Sequence, residues 1–159
     1  ATTTLSGSKD WVKSSVCRIA ILGGGHLGRA FTAGLIRSGI DPSHIRVGEP
    51  DSIRRRGLER DFGVMTQAHN RELAEWAQVV LVAIRPSDFQ AALPPLRAVW
   101  GSRERLVVSL AAGVPVAQLR QWIPAPATVI RAMPNLAVEM GQGAIAVYAS
   151  DPVAEPDRR

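Results

Sequence analysis

Short apolar runs alternate along this chain with longer stretches in which apolar residues recur at helical spacing. The runs are continuously apolar, as in strands of a parallel sheet that is covered on both faces. They predict strands at Arg18–Leu22, Ile45–Gly48, Val79–Ala83, Arg105–Ser109 and Thr128–Met133, a weaker strand at Val64–Thr66, and a last strand at Ala144–Tyr148.

Helical patterns fill the intervals between these runs. They predict helices at His26–Ser38, Ser52–Asp61, Asn70–Trp76, Ser87–Trp100 and Pro115–Trp122, the fourth interrupted by Pro94-Pro95. This alternation predicts an α/β fold with a doubly wound, mostly parallel sheet and helices on both faces. We expect that domain at residues 17–150, between an N-terminal extension (1–16) and a polar, proline-bearing tail or linker (151–159).

A glycine-rich segment, Gly23 to Gly28, joins the first predicted strand to the first predicted helix and fits the pattern G-x-G-x-x-G. The pattern alone is weak, but its position between a strand and a helix strengthens it. Gly23 would permit a tight turn, Gly25 would let the backbone approach a pyrophosphate, and Gly28 would let the helix pack closely. We therefore interpret the domain as a Rossmann-type fold that binds NAD or NADP, the alternative being a glycine-rich turn without a ligand. Within the loop we also include His26 and Leu27 among the cofactor contacts.

The end of the second strand carries two signals that disagree about the cofactor. Glu49 lies 21 residues after Gly28, where an acidic residue would accept hydrogen bonds from the ribose and favour NAD. Arg54, Arg55 and Arg56 follow it, and a guanidinium is suited to the 2′-phosphate of NADP. The arginines could equally form a solvated helix face, so the choice between NAD and NADP stays open.

Composition narrows the function classes. The formal charge is +5, but the arginines are mostly scattered and aromatic residues make up only 5%, so we expect no nucleic-acid partner. No apolar run is long enough for a membrane span, and a single cysteine, Cys17, suits a reducing compartment. We expect an intracellular protein, cytoplasmic rather than mitochondrial, although a removed import sequence would leave the second location open.

Zinc, serine-hydrolase and phosphate-loop motifs are missing from the sequence, and we expect no metal site.

Four further motifs, in order and at matching intervals, make the chain resemble the pyrroline-5-carboxylate reductases, which reduce a cyclic imine to proline. They are His69-Asn70-Arg71-Glu72, Val82-Ala83-Ile84-Arg85-Pro86, Ser109-Leu110-Ala111-Ala112-Gly113-Val114 and Val129-Ile130-Arg131-Ala132-Met133-Pro134-Asn135. The resemblance implies that Asn70 contacts the cofactor. It also implies that Ala83, Arg85, Pro86 and the turn Ala111, Ala112 and Gly113 lie along the nicotinamide half.

Some residues depart from the family pattern. His26 stands where Asn or Gln is common, Arg85 replaces a lysine, and Leu136-Ala137 replaces a Thr-Pro pair after Asn135. These departures leave open a divergent relative of the kind described as an NADP-dependent oxidoreductase domain protein.

The family also has a helical C-terminal domain that forms the homodimer and supplies a Ser or Thr beside the imine, and these 159 residues do not contain it. We therefore expect an excised domain or a short isoform, which by itself would be a monomer or a weak dimer. Its catalytic residues stay unknown.

These sequence features are compatible with three functions. The first is hydride transfer from NAD(P)H to a small cyclic imine by the full-length protein, which gives proline or a related amine. The second is a dinucleotide-binding module, or truncated isoform, without turnover. The third is an NAD-linked dehydrogenase acting on a hydroxy or phosphorylated substrate, which would need a catalytic Lys or His elsewhere.

Overall fold

The computed structural model describes residues 17–134 and the backbone of the strand at 145–149. The predicted N-terminal extension, the tail at 151–159 and the departures at Leu136 and Ala137 lie outside these residues. The described strands are β1 (Ile19–Leu22), β2 (Ile45–Gly48), β3 (Met65–Gln67), β4 (Val79–Val82), β5 (Leu106–Ser109), β6 (Thr128–Pro134) and β7 (Ile145–Ala149). The α-helices are α1 (His26–Arg37), α2 (Ser52–Phe62), α3 (Asn70–Trp76), α4 (Phe89–Ala92), α5 (Arg97–Trp100) and α6 (Val116–Trp122). Short 3-10 helices occupy Pro42–His44, Pro86–Asp88 and Pro94–Leu96.

The strands form one sheet in the order β3-β2-β1-β4-β5-β6-β7. β1 to β6 run parallel, and β7 pairs antiparallel with β6. From β1, inside the sheet, the chain winds outward through β2 and β3 and then returns to add β4 on the other side of β1. That reversal is the arrangement of a doubly wound dinucleotide-binding sheet.

Each face of the sheet is covered by its own set of helices. On one face, side chains of β1 and β2 such as Ile21 and Val47 pack with Phe31 of α1 and Leu58 of α2. The opposite face buries a larger cluster, drawn from β1, β4, β5 and β6 and from α3 to α6. Its members include Leu22, Val80, Phe89, Trp100 and Leu119, none of them exposed to solvent. The predicted fold class, with helices on both faces of a mostly parallel sheet, is confirmed.

The region predicted as a helix interrupted at Pro94-Pro95, Ser87–Trp100, is a series of single turns on both sides of the two prolines. A 3-10 turn, α4, a second 3-10 turn and α5 follow one another between Pro86 and Trp100. Pro94 and Pro95 lack the N–H groups that a continuous helix would need, so the helical hydrogen bonds cannot run through them. The apolar side chains still point inward, and Trp100 closes the segment as a completely buried residue.

Two predicted strands are shifted by one residue. β3 covers Met65–Gln67 rather than Val64–Thr66, because Val64 is buried ahead of the strand while Met65 is exposed at the sheet edge. β7 begins at Ile145 rather than Ala144. Within the described residues, no helix is long and apolar enough to cross a membrane.

Candidate dinucleotide-binding site

The predicted site residues gather at one edge of the sheet, where the parallel strands end. Leu22 at the end of β1 is level with Gly48 of β2 and with Val82 of β4. Val82 is in turn level with Ser109 of β5, and Ser109 with Arg131 of β6. The loops that follow β1, β2, β4 and β5 therefore leave the sheet at the same height, whereas β6 continues to Pro134. Ligands of doubly wound sheets bind in the crevice at this edge.

In the glycine loop after β1, backbone atoms leave no room for a side chain at Gly23 or Gly28. Gly23 has a φ of +106°, and its N–H donates to the carbonyl oxygen of Gly48 at 2.8 Å. A Cβ on Gly23 would lie 2.6 Å from the carbonyl oxygen of Ala83. A Cβ on Gly28 would lie only 1.8 Å from the carbonyl oxygen of Gly23. These two glycines thus let the loop fold between β2, β4 and the first turn of α1.

Gly25, in contrast, faces open space and introduces a helix end without a side-chain cap. Apart from its two chain neighbours, no atom of the described residues lies within 4 Å of the position that its Cβ would take. Gly25 is the N-cap of the 12-residue helix α1, which has no side-chain hydrogen bond at its cap and no acidic residue in its first turn. His26, the first helical residue, is exposed, while Leu27 is half-buried and packs against the core. An uncapped N-terminus with open space before it has the chemistry of an anion site.

The neighbouring helix α2 shows what an occupied N-terminus looks like in this chain. The Asp51 side chain accepts hydrogen bonds from the backbone N–H groups of Ile53, at 2.8 Å, and of Arg54, at 3.0 Å. The bond from Arg54 is the main reason why the pKa of Asp51 is lowered from 3.8. The N-terminus of α2 is therefore capped by the Asp51 carboxylate, whereas the N-terminus of α1 has no side-chain cap.

Glu49 is turned into the protein between these two helix ends. Glu49 is only 4% exposed. Its two carboxylate oxygens accept hydrogen bonds from the backbone N–H groups of Gly24 and Asp51, both at 3.0 Å. The Arg55 guanidinium donates to the backbone oxygens of Glu49, at 2.9 Å, and of Pro50, at 2.8 Å. Arg54 and Arg56 are exposed. The interpretation of Glu49 as a ribose acceptor stays a prediction.

Asn70 lies directly over the end of β2. A Cβ on Gly48 would be 2.2 Å from the Asn70 side-chain oxygen and 2.9 Å from a methyl carbon of Leu73. The sequence pattern indicates no role for Gly48 or for Gly24, whose Cβ would be 2.8 Å from Leu58. Gly24 lies between Gly23 and Gly25 of the glycine pattern, and Gly48 directly precedes Glu49. The atoms that crowd these two glycines come from other elements and are known only from the fold.

The loops after β4 and β5 present mostly small or exposed groups. Arg85 is exposed and donates to Asp88 at 3.0 Å, within the 3-10 turn that Pro86 begins. After β5, Ala111 is buried, whereas Ala112 and Gly113 are exposed. The Ala111 N–H donates to the buried Ser109 hydroxyl at 3.4 Å, which holds the start of this turn against the strand.

The part of the chain that the structure describes contains neither a metal site nor an activated cysteine. No three His, Cys, Asp or Glu side chains there are grouped so that they could hold a metal ion. Burial raises the pKa of the Cys17 thiol, an effect that the nearby Arg18 only partly opposes. A raised pKa disfavours the thiolate, so Cys17 lacks the activation that a nucleophilic cysteine needs.

Comparison with known proteins places the chain in a family. Residues 18–113 match the family model described as NADP oxidoreductase coenzyme F420-dependent. A pyrroline-5-carboxylate reductase of Vibrio alginolyticus is 32% identical over 141 residues, which are 89% of this chain and 52% of that protein. The chain spans about half the length of the curated relatives it matches.

Solved structures agree with this placement. A pyrroline-5-carboxylate reductase from Coxiella burnetii superposes with a TM-score of 0.86 at 29% identity, covering 91% of this chain and 53% of the other. The pyrroline carboxylate reductase of Plasmodium falciparum, solved with NADP bound, has a TM-score of 0.77 at 18% identity. It covers 89% of this chain and 51% of the other, and at that identity the likeness concerns the fold alone. The predicted resemblance and the predicted NAD(P) cofactor class are confirmed: the chain belongs to this family of NADP-linked oxidoreductases and carries an NAD(P)-binding domain like that of the pyrroline-5-carboxylate reductases.

Proposed function

We propose that this chain is the cofactor-binding part of an enzyme that reduces a small cyclic imine of the pyrroline-5-carboxylate kind to the corresponding amine. The reduction adds a hydride to the imine carbon and a proton to the nitrogen, and reduced NAD(P)H supplies the hydride when it is bound. The names of the curated relatives support this substrate class. The residues of this chain bind and orient the cofactor.

The open N-terminus of α1 is the observation that carries the proposal. Within the part of the chain that the structure describes, only the chain neighbours of Gly25 come within 4 Å of its Cβ position, and α1 has neither a side-chain cap nor an acidic first turn. Backbone N–H groups at such an end favour a negative charge through both hydrogen bonding and the helix dipole. A pyrophosphate fits this requirement, and the missing Cβ lets it approach the backbone. His26, exposed at the first helical position, is placed to contact the same group.

The rest of the cofactor would lie along the strand ends on either side of the glycine loop. The adenosine half belongs beside β2, where Gly48, Glu49 and Asn70 lie. The nicotinamide half belongs beside β4 and β5, near Ala83 to Pro86 and Ala111 to Gly113. The exposed Ala112 and Gly113 carry almost no side chain, which leaves room for a flat ring and a small imine against the backbone.

Calorimetric titration of the chain with NADPH and separately with NADH tests the binding step. Gly25→Ala and Gly34→Ala form a matched pair, since each adds one methyl group where the structure has open space. We expect Gly25→Ala to weaken binding at least tenfold, equivalent to about 1.4 kcal/mol, and Gly34→Ala to leave it unchanged. Gly25→Trp should abolish binding. If neither cofactor binds the unmodified chain at millimolar concentration, the proposed site is wrong.

Turnover needs its own measurement. Oxidation of the bound nicotinamide on addition of pyrroline-5-carboxylate, followed by absorbance, would support imine reduction by this chain. Tight binding without any oxidation would instead favour a dinucleotide-binding module without turnover. The altered residues after Asn135, which lie outside the described residues, are the sequence feature that favours that second function.

A further inference from the structure

Glu49 joins two loops that a cofactor would touch. Its Oε2 accepts from the Gly24 N–H in the loop between β1 and α1, and its Oε1 accepts from the Asp51 N–H before α2. Both distances are 3.0 Å, and the residue is 4% exposed. A buried carboxylate is tolerated only where hydrogen bonds compensate for its lost hydration. Here the compensating donors are backbone groups, so the carboxylate fixes the path of the main chain.

The surroundings of Glu49 keep it in that position. Its own N–H donates to the carbonyl oxygen of Gln67 at 2.9 Å, which extends the ladder between β2 and β3. Arg55 holds the carbonyl oxygen of Glu49 from the side of α2. Gly24 is enclosed as well, because a Cβ there would be 2.8 Å from Leu58 and 3.0 Å from the Cβ of Glu49. Neither partner can move far without disturbing the packing of α2.

The direction of the Gly24 N–H decides which groups of the glycine loop remain outside. Because this N–H points inward to Glu49, the loop presents Gly25 and the start of α1 to the crevice. We infer that Glu49 is a positioning residue, which holds the glycine loop in the conformation that receives the cofactor pyrophosphate, and that its carboxylate does not select between NAD and NADP. This inference rests on the proposed dinucleotide binding.

Two roles of Glu49 predict opposite results when its charge is removed. A carboxylate that reads the ribose repels a 2′-phosphate, so Glu49→Gln would raise the preference for NADPH over NADH. A carboxylate that positions the glycine loop affects the pyrophosphate, which both cofactors share. In Glu49→Gln the amide NH₂ would face one of the two backbone N–H groups, and a donor cannot accept from a donor. Both affinities should then fall together.

The decisive experiment compares NADPH and NADH titrations of the unmodified chain, Glu49→Gln and Glu49→Asp. The control is Glu104→Gln, which removes the same charge from an exposed residue just before β5, at the opposite edge of the sheet. We expect both Glu49 variants to weaken both cofactors at least tenfold and to leave the ratio of the two affinities within about twofold. Glu49→Asp keeps the charge but is one methylene shorter, so it cannot reach both donors. The control variant should match the unmodified chain.

Amide hydrogen exchange at Gly24 adds a measurement that needs no cofactor. We expect protection of this amide in the unmodified chain and faster exchange in the Glu49 variants, with the amides of β1 and β4 unchanged. A tenfold rise in the NADPH to NADH preference, unchanged affinities in both variants, or an unprotected Gly24 amide would each overturn the inference. If the unmodified chain binds neither cofactor, the proposed function itself fails, which is a different result from binding that Glu49 does not influence. Should Glu49→Gln not fold, Glu49→Asp and the exchange of the unmodified chain still decide.

Discussion

Replacing Gly28 with alanine should destabilise the domain, whereas the same replacement at Gly34 in the same helix should not. A Cβ on Gly28 would lie 1.8 Å from the Gly23 carbonyl oxygen and 2.9 Å from its carbonyl carbon, and 3.5 Å from a methyl of Ile21. Outside the backbone of α1 itself, a Cβ on Gly34 would meet no atom of the described residues within 4 Å. Because the atoms nearest to Gly28 belong to the backbone, no side-chain rotation can relieve the contact. The first turn of α1 and the glycine loop would have to move apart.

The magnitude follows from two opposing effects. Overpacking usually costs about 1–3 kcal/mol, and a contact with rigid backbone belongs at the upper end, about 3 kcal/mol. Alanine is favoured over glycine inside a helix by about 1 kcal/mol, and this gain applies at both positions. Gly28→Ala should therefore lose about 2 kcal/mol and Gly34→Ala should gain about 1 kcal/mol, a difference of about 3 kcal/mol. For a domain of this size that difference corresponds to roughly 10 °C in Tm.

Thermal and denaturant unfolding of the two variants, measured side by side with the unmodified chain, give this difference directly. If the two melting temperatures differ by less than about 3 °C, then the loop yields to the new methyl group and the tight packing at Gly28 does not hold the fold. If both variants lose stability equally, the loss comes from a general intolerance of α1 rather than from the contact with Gly23.

Two further predictions concern the neighbouring contacts. Hydrogen bonds from Arg60 and then Arg29 lower the pKa of Asp61 from 3.8 to about 2. Since the folded pKa lies below the unfolded one, the stabilisation is complete above about pH 4 and is lost as the pH falls through about 2. The Tm difference between the unmodified chain and Asp61→Asn should therefore shrink over that interval, and a difference that is the same at about pH 5 and about pH 2 would contradict the assignment. Gly48→Ala should lower Tm because its methyl would collide with the Asn70 side chain, and the loss should be smaller in an Asn70→Ala background. Equal losses in the two backgrounds, in a double-mutant cycle of unfolding free energies, would show that Asn70 does not oppose the methyl.

The sequence predicted the strands well because buried parallel strands carry a local signal. The runs at Ile45–Gly48 and Asn70–Trp76 match a strand and a helix to the residue. The roles of the glycine loop were accessible for the same reason, since the pattern assigns a tight turn to Gly23 and close packing to Gly28, and both are crowded in the structure. The region Ser87–Trp100 was predicted less well. There the apolar spacing is helical, while Pro94 and Pro95 remove the hydrogen bonds that a continuous helix needs.

The direction of the Glu49 side chain could not be predicted from its position in the sequence. Its spacing after Gly28 suits a ribose contact, and nothing local shows that the Gly24 N–H is within reach. That contact joins residues 25 positions apart. It depends on the pairing of β1 with β2 and on Leu58 of α2, which covers Gly24. Interactions of this kind appear only when the strands and helices have been assembled.

Glu49 and Arg55, whose positions in the sequence favour different cofactors, therefore both have backbone partners in the fold. Glu49 and Arg55 both turn inward, one to backbone N–H groups and the other to backbone carbonyl oxygens, so each helps to hold the loop between β2 and α2. Arg54 and Arg56 remain as the exposed arginines of the cluster. If Glu49 is a positioning residue, these two exposed guanidinium groups are the candidates in the cluster for a preference for NADPH. Arg54→Ala and Arg56→Ala should then change the NADPH to NADH ratio that the Glu49 variants leave constant, because a guanidinium can contact the 2′-phosphate that only NADPH carries.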